Sequence, residues 1–409
     1  MKFIILSLKR NILPCIFFVI AICLVVFSRT NLSAATNGLT LWATCVVPSL
    51  FPFFVITNLL SHTKIVTFTG KLLDKLMRPI FNVPGIGGFA FVMGLISGYP
   101  VGAKVVSDFR ENCLVTKDEG ERMLAFTNNS GPLFILSGVG IGLFGDTKTG
   151  LLLLCTHILS CITVGIILGK FSRKSDDEFR IRKKLEFQKL KDDRISKSSN
   201  NITLKNLGEV LGNSINSAIS TILMIGGFVV IFSVIISILN TTNTLGFFSK
   251  FLNPVLAFFS FDLEFSKPLL SGVIELTNGV NLISTIHIKE ISQNIILCAF
   301  LLGFGGFSVL LQVFSIIAKT DLSIKKYFIG KLLQGIIAAI YTFLALKFIP
   351  FINLDIVETS STNVTNLEIL NLTTNSIYTY FYELGIFVIF VSVLFVILNI
   401  LKKIYNKVI

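Results

Sequence analysis

The stretch "GLISGYPVGAK", residues 94–104, lies inside an apolar segment and contains three glycines and a proline. Glycine and proline are the poorest helix formers, so this segment cannot form one regular helix. Irregular backbone is tolerated at membrane depth only where protein or a water-filled cavity surrounds it, because lipid offers no hydrogen bonds. The stretch therefore predicts a re-entrant helical hairpin that enters a membrane and turns back within the protein.

The composition indicates an all-α polytopic membrane protein. Of 409 residues, 53% are hydrophobic and only 14% are charged, with a mean hydropathy of +0.79. Soluble proteins carry about a quarter charged residues. The net charge of +13 does not indicate a nucleic-acid partner. Most basic residues lie in short loops, and the basic block 170–205 alternates with acids and lacks an aromatic platform. The expected partners are the lipid bilayer and a small molecule.

Eight apolar runs are long enough to cross a membrane, which takes about 20 residues each. Two further apolar segments, 84–106 and 266–286, are short and are interrupted by glycine, proline or polar residues. An amphipathic stretch precedes each of them, at 71–84 and 247–259, and is expected to lie at the membrane interface. The eight predicted spans are 12–28, 41–61, 124–145, 149–169, 212–240, 294–317, 328–349 and 383–401.

Loop charges predict the orientation of the chain, because cytoplasmic loops carry an excess of Lys and Arg. This rule puts both termini and the basic linker in the cytoplasm, and the loop 350–382, which has no Lys or Arg, on the other side. The assignment requires that neither interrupted segment crosses the membrane. The first apolar run is expected to be an uncleaved span, although Ser33, Ala34 and Ala35 also fit a signal-peptide cleavage site.

The two halves of the chain have the same order of elements: span, amphipathic helix, re-entrant segment, span, span. One half begins outside and the other inside, so the predicted repeats are inverted. Inverted repeats with interrupted segments are typical of secondary transporters. The predicted divisions are an N-terminal span 1–40, a first repeat 41–170, a basic cytoplasmic linker 171–209, a second repeat 210–349, an extracytoplasmic loop 350–382 and a C-terminal span 383–409.

Polar residues in the two interrupted segments and in a third predicted break form the predicted substrate-binding site. The third break is 127–134, where Gly131 and Pro132 follow three polar residues and indicate a capped helix that begins inside the membrane, with an ordinary helix start at the interface as the alternative. Lys104 is expected to neutralise a substrate carboxylate, with an interfacial position as the alternative. Glu275 is an acid among apolar neighbours, so it is a candidate to bind a proton, a cation or substrate, or to pair with Lys104. The predicted substrate-binding residues are Ser97, Gly98, Tyr99, Gly102, Lys104, Asn128, Asn129, Ser130, Glu275, Thr277, Asn278 and Asn281.

Enzymatic chemistry is not expected. No nucleophile–base set or phosphate-binding loop is evident, and the cysteines and histidines lack metal-ligand spacing. The sequence therefore predicts no catalytic residue, metal site or cofactor. It leaves open the identity of a coupling ion and whether the chain forms a homo-oligomer.

Three motifs resemble the nucleoside-recognition (Gate) family, in particular its sporulation proteins: "GLISGYPVGAKVVSDF", "LAFTNNSGPLFILSGVGIGLFG" and "IELTNG". The likeness covers roughly residues 40–347. It implies a fold similar to concentrative nucleoside transporters. It also implies transport of dipicolinic acid, a small pyridine dicarboxylate, across the outer forespore membrane of an endospore former. The alternatives are a cation-coupled nucleoside transporter and a non-transporting membrane scaffold of the sporulating cell.

Overall fold

A computed structural model describes residues 2–61, 63, 65–171, 206–286 and 291–348, all within one compact unit, Met1–Leu354. Within these ranges the protein is helical and has no β-strand. Two π-helical stretches, Trp42–Val46 and Phe134–Leu143, and a 3₁₀ turn, Leu263–Phe265, interrupt the α-helices. The α-helices are α1 Lys2–Val26, α2 Ser28–Leu41, α3 Val47–Ser61, α4 Ile65–Phe81, α5 Gly87–Ser97, α6 Val101–Glu111, α7 Lys117–Thr127, α8 Thr147–Lys170, α9 Leu207–Thr241, α10 Thr244–Ser249, α11 Asn253–Phe258, α12 Ser266–Ile274, α13 Leu276–Ser284, α14 Ile291–Phe304, α15 Gly306–Ile317 and α16 Lys325–Phe348.

Four segments of the described chain are long and apolar enough to cross a membrane: α8, α9, α14 together with α15, and α16. They coincide with four of the predicted spans. A fifth candidate is the pair α1 and α2, which bends by 99°. The predicted span 41–61 is divided between a π-helical stretch and α3, and the predicted span 383–401 lies outside the described residues.

The predicted span 124–145 is not one continuous helix, and the break that the sequence predicts within it, at 127–134, is present. Helix α7 ends at Thr127, Asn128 is extended, and a helix resumes only at Pro132. Proline is well tolerated at a helix start and poorly inside a helix, so the Gly131–Pro132 pair favours a break here. A second break separates α14 from α15, where Gly305 and Gly306 have positive φ angles of 83° and 79° that favour glycine.

Both interrupted segments are pairs of short helices joined by a sharp turn. Helices α5 and α6 form hairpin 1, and α12 and α13 form hairpin 2; the arms of each pack against one another. Gly98, with φ of +79°, turns the chain in hairpin 1, whereas an extended Glu275 does so in hairpin 2. The predicted helix–turn–helix geometry is therefore present. Return of each hairpin to the side from which it entered the membrane stays a prediction.

The predicted interfacial stretches are helical. Residues 71–84 correspond mostly to α4. Residues 247–259 correspond to α10 and α11, whose aromatic side chains are largely exposed, as expected for a face that contacts lipid. The exposed aromatic residues are Phe247, Phe248, Phe251, Phe258 and Phe259.

The buried side chains of the described residues form two hydrophobic cores, which are in contact with each other through Tyr99. One core joins hairpin 1 to α7, α9 and α15, and the other joins hairpin 2 to the π-helix 134–143, α8 and α14. Elements from both halves of the sequence thus contribute to each core. Tyr99, at the tip of hairpin 1, packs against both cores, so this tip lies at the junction between them.

Candidate functional site

A cavity of about 50 Å³ lies where the hairpin tips meet the two helix breaks. Its polar groups come from hairpin 1, hairpin 2 and α15, as Tyr99, Glu275, Thr277 and Gln312. The rest of the wall is formed by Gly131 and by apolar side chains. Small-molecule sites commonly combine apolar walls with a few oriented polar groups. The apolar lining residues are Val46, Leu50, Phe134, Ile225, Val229, Leu276 and Val309.

The tip of hairpin 1 is held by neighbouring elements. The hydroxyl groups of Ser97 and Thr57 lie 2.8 Å apart and both side chains are buried. Gly98 packs so closely on Gly131 that a methyl group on Gly98 would lie 2.8 Å from the Gly131 nitrogen. The Ser130 hydroxyl lies 2.9 Å from the Tyr99 hydroxyl. These contacts fix Tyr99 at the cavity wall.

The tip of hairpin 2 is capped by its own acid. The Glu275 carboxylate accepts hydrogen bonds from the backbone N–H groups of Thr277, at 3.2 Å, and Asn278, at 2.8 Å, and from the Thr277 hydroxyl at 3.1 Å. This is the pattern of a helix N-cap, and the positive end of the α13 dipole stabilises the carboxylate. Glu275 is only 3% exposed and yet lines the cavity. The structure therefore places a stabilised acid at the predicted site.

The break after α7 is lined by buried amides. Asn128 donates from Nδ2 to the Tyr327 hydroxyl at 3.0 Å. Asn129 donates from Nδ2 to the Phe126 carbonyl at 2.7 Å, and its Oδ1 accepts from Lys331 Nζ at 3.3 Å and from Gln334 Nε2 at 3.0 Å. All of these side chains are buried. Polar groups buried this deeply need such partners, because an unpaired one is costly.

Ser130 connects the break to α8 and α14. Its backbone N–H donates to His157 Nε2 at 3.2 Å, and its hydroxyl lies 3.2 Å from the Leu302 carbonyl. His157 is 1% exposed, and its Nδ1 has no hydrogen-bond partner among the described residues. Because Nε2 accepts, Nδ1 carries the proton of the neutral ring. The histidine thus helps to fix the backbone of Ser130.

Lys104 is not part of this cavity. It donates from Nζ to Ser217 Oγ at 2.5 Å and to Thr221 Oγ1 at 3.5 Å, and it lines a separate, smaller cavity with Asp108. The expected alternative of an ion pair with Glu275 is not present among the described residues. Lys104 and Glu275 instead use different hydrogen-bond partners.

The remaining predicted residues fall into two groups. Gly102 and Asn278 belong to the hairpins but make structural contacts: Gly102 packs on the Thr127 carbonyl, and Asn278 Nδ2 donates to Ser233 Oγ at 3.2 Å. Asn281 is exposed and lies outside the cavity wall. Of the predicted set, Tyr99, Glu275 and Thr277 line the cavity.

Several buried polar residues near the site escaped sequence analysis. They are Gln312 in α15 and Tyr327, Lys331 and Gln334 in α16. Lys331 lies within the predicted span 328–349, so the rule that ionisable residues inside a span are functional candidates would have found it. The contact between Ser130 and His157 joins residues that are distant in sequence, so no local sequence signal indicates it.

Paired helical hairpins, interrupted apolar helices and a mostly apolar cavity with a few polar groups are the features of a polytopic membrane protein. The sequence profile of the Gate family, described as nucleoside recognition, matches residues 43–172 and 222–320. The chain belongs to this family, and the resemblance seen in its motifs is confirmed.

The chain is similar to the sporulation integral membrane protein YlbJ of Bacillus subtilis (strain 168). The two are 39% identical over 323 residues, which cover 78% of this chain and 78% of that relative. No solved structure matches the chain. Family membership and the apolar helices together establish an integral membrane protein.

Proposed function

We propose that this protein is a membrane transporter of a small anionic aromatic metabolite, with dipicolinic acid as the candidate substrate. The observation that carries the proposal is the cavity between the hairpin tips and the helix breaks. Binding sites at the meeting point of interrupted segments are typical of secondary transporters. The name of the Bacillus relative adds sporulation as the setting, and the outer forespore membrane is the compartment proposed for the chain.

The cavity supports the aromatic part of the proposal. Leu50, Phe134 and Val229 offer flat and branched apolar surfaces, while Tyr99 and Gln312 offer hydrogen bonds at the edge. A free volume of about 50 Å³ accommodates only a few water molecules. A metabolite therefore enters only when one of the hairpins moves, as alternating access requires.

The arrangement of hairpins and breaks supports inverted repeats. The break after α7 packs on hairpin 1, where Gly94 and Gly102 contact the Thr127 carbonyl. The break before α15 packs on hairpin 2, where Gly306 lies against the Gly272 carbonyl. Each half thus has a hairpin seated on its own broken helix. We retain the predicted topology, with both termini in the cytoplasm, as part of the proposal.

A nucleoside is the competing substrate, and Glu275 favours it. A carboxylate at the cavity wall would repel a dicarboxylate and would accept hydrogen bonds from the hydroxyl groups of a sugar. The cap donors of α13 stabilise the negative charge of Glu275 but do not remove it. A dianion thus requires a positive charge elsewhere in the site, whereas a neutral nucleoside does not.

Uptake into proteoliposomes tests the proposal. The purified chain should accumulate labelled dipicolinate, and excess unlabelled nucleoside should not compete. Nucleoside uptake without dipicolinate uptake would establish the alternative. A scaffold would transport neither ligand, and its activity in sporulating cells would depend on the linker 171–209, which a transporter can exchange for another flexible linker.

A further inference from the structure

Lys331 is a buried cation behind the candidate site. It is 2% exposed, and its ammonium donates to Gln334 Oε1 at 2.7 Å and to Asn129 Oδ1 at 3.3 Å. The same ammonium lies 5.9 Å from the centre of the Tyr327 ring. All three partners are electrically neutral. They satisfy the hydrogen bonds of the ammonium without cancelling its charge.

The absence of an acid beside Lys331 is unusual within the described chain. Arg122 is the other buried cation there, and it forms an ion pair with Asp118. No carboxylate among the described residues lies within ion-pair distance of Lys331. Burying an uncompensated charge is costly, and such residues within membrane helices usually serve substrate or ion pathways.

The contacts of Lys331 connect it to the cavity. Asn129, which accepts its hydrogen bond, directly precedes Ser130 and Gly131 in the break after α7. Gly131 lines the cavity, and Ser130 contacts Tyr99, which also lines it. The ammonium is thus one layer behind the wall. An ammonium in that position would act on the cavity through its electrostatic potential rather than by direct contact.

We propose that Lys331 determines the specificity for an anion, by placing an uncompensated positive charge behind the break at residues 128–131. This inference rests on the proposed function and names the residue that supplies the charge which a dianion needs. Lys104, the cation expected from sequence, lies in a separate cavity and uses hydroxyl partners. Lys331 also orients the Asn129 amide, so it acts through its neighbour rather than by touching the substrate.

Two substitutions remove this charge in different ways. Lys331→Gln keeps a hydrogen-bond donor and deletes the charge. Gln334→Glu keeps the lysine and places a carboxylate beside the ammonium, where the Oε1 already lies 2.7 Å away. Lys104→Gln is the matched control. It also removes a cation, but from the separate smaller cavity and not from the surroundings of the candidate site. Lys331→Arg restores the charge.

Binding of dipicolinate and of its neutral dicarboxamide analogue to the purified full chain, measured by calorimetry, tests the inference. A charge on the order of 10 Å from a carboxylate changes affinity by about tenfold in a site of intermediate dielectric. Lys331→Gln and Gln334→Glu should each weaken dipicolinate binding by about tenfold or more and change binding of the neutral analogue by less than about twofold. Lys331→Arg should recover most of the affinity, and Lys104→Gln should change neither ligand.

The contrary outcomes separate the inference from the proposed function. Equal losses for the charged and the neutral ligand, or no loss for either, would overturn the role of Lys331 while dipicolinate binding by the unsubstituted protein stands. If Lys331→Gln does not fold, an unaltered dipicolinate affinity in folded Gln334→Glu would also overturn it. Binding of nucleosides and not of dipicolinate by the unsubstituted protein would reject the proposed function, and the inference with it.

Discussion

The two hairpins are built alike but are held in different ways. In hairpin 1 the glycines of both arms face a third element: a methyl group on Gly94 or Gly102 would lie 1.7 or 2.2 Å from the Thr127 carbonyl oxygen. In hairpin 2 the glycines face one another, and a methyl group on Gly279 would lie 2.0 Å from the Gly272 Cα. Hairpin 1 therefore packs its glycines most closely on the end of α7, whereas the closest glycine contact of hairpin 2 is between its own two arms.

The tips show the same difference. Ser97 and Tyr99 of hairpin 1 contact side chains of α3 and of the break after α7. Glu275 of hairpin 2 takes its hydrogen bonds from the first turn of α13, within the same hairpin. A polar contact to another helix does exist in hairpin 2, between Asn278 and Ser233. Hairpin 1 is thus tied into its surroundings by more polar contacts, and hairpin 2 is the better candidate to move as a unit.

Substitution of the glycines should have the largest effect. Gly279→Ala forces backbone atoms apart inside hairpin 2, and Gly102→Ala pushes hairpin 1 away from Thr127. Each substitution should destabilise the fold by about 3 kcal/mol, because a clash with backbone atoms cannot be relieved by a rotamer change. Gly227→Ala is the control, since nothing lies within 4 Å of its added methyl group. Thermal unfolding in detergent measures the stability of the three variants. Equal melting temperatures for Gly279→Ala and Gly227→Ala would contradict the close arm packing.

The Glu275 cap should have the next largest effect, and Asp146 provides a matched comparison. Asp146 caps α8 with the same pattern, accepting from the backbone N–H groups of Lys148 at 3.1 Å and Thr149 at 2.8 Å, and it lies outside the cavity wall. Glu275→Gln and Asp146→Asn should each cost about 1 kcal/mol of stability, because each carboxylate accepts with both oxygens and an amide has only one accepting oxygen. If Glu275 also serves the site, only Glu275→Gln should change uptake. Equal uptake by the two variants would mean that Glu275 serves only as a helix cap.

Much of this comparison follows from sequence. The glycines and Pro100 in the first segment predicted hairpin 1, because those residues rarely continue a helix. The acid at position 275, among apolar neighbours, predicted a buried functional group in the second segment, because lone exposed charges are not expected at that depth. Both signals are local, and a local signal can be read without knowing which helices pack together.

The partners of the predicted residues depend on packing and could not be predicted. Lys104 is five residues from Tyr99, but successive residues on a helix point about 100° apart, so its side chain reaches α9 and not the cavity. Lys331 is more than 200 residues away from Asn129 in sequence, and only the fold brings them together. Sequence thus indicated which segments form the site, but it indicated Lys104 and not Lys331 as the cation that accompanies them.

A smaller effect is expected where hydroxyl groups join each hairpin to a neighbour. Ser97→Ala removes a fully buried hydrogen bond of hairpin 1 to Thr57 and should cost about 1 kcal/mol. Ser233→Ala removes the longer contact to Asn278 of hairpin 2, which is only partly buried, and should cost about 0.5 kcal/mol. Urea or thermal unfolding of both variants provides the ranking. The reverse order would mean that hairpin 2 is the more firmly attached.

The smallest effect on stability is expected from loss of the ion pair between Arg110 and Asp321. This pair joins α6, at the base of hairpin 1, to the loop between α15 and α16. Arg110 donates from Nε to Asp321 Oδ1 at 2.7 Å and from Nη2 to Oδ2 at 2.9 Å. These hydrogen bonds lower the pKa of Asp321 below its ordinary value of 3.8. Since the folded-state pKa is lowered, the pair contributes stability above the unfolded pKa and loses it as the pH falls through the folded one. Asp321 is half exposed, so solvent screening limits the contribution to about 0.5 kcal/mol.

Asp321→Asn should therefore lower the melting temperature slightly and by a constant amount between neutral pH and about pH 5. The difference from the unsubstituted chain should vanish only in stronger acid, where Asp321 itself becomes protonated. Arg110→Gln should show the same pH dependence with a further loss that does not depend on pH, because it also removes the hydrogen bond from Arg110 to the Val115 carbonyl. A difference that disappears already near neutral pH would exclude this ion pair as its source. Hairpin 1 would then depend only on its buried contacts, and the proposed contrast between the hairpins would rest on the glycine packing of the arms and on the tips.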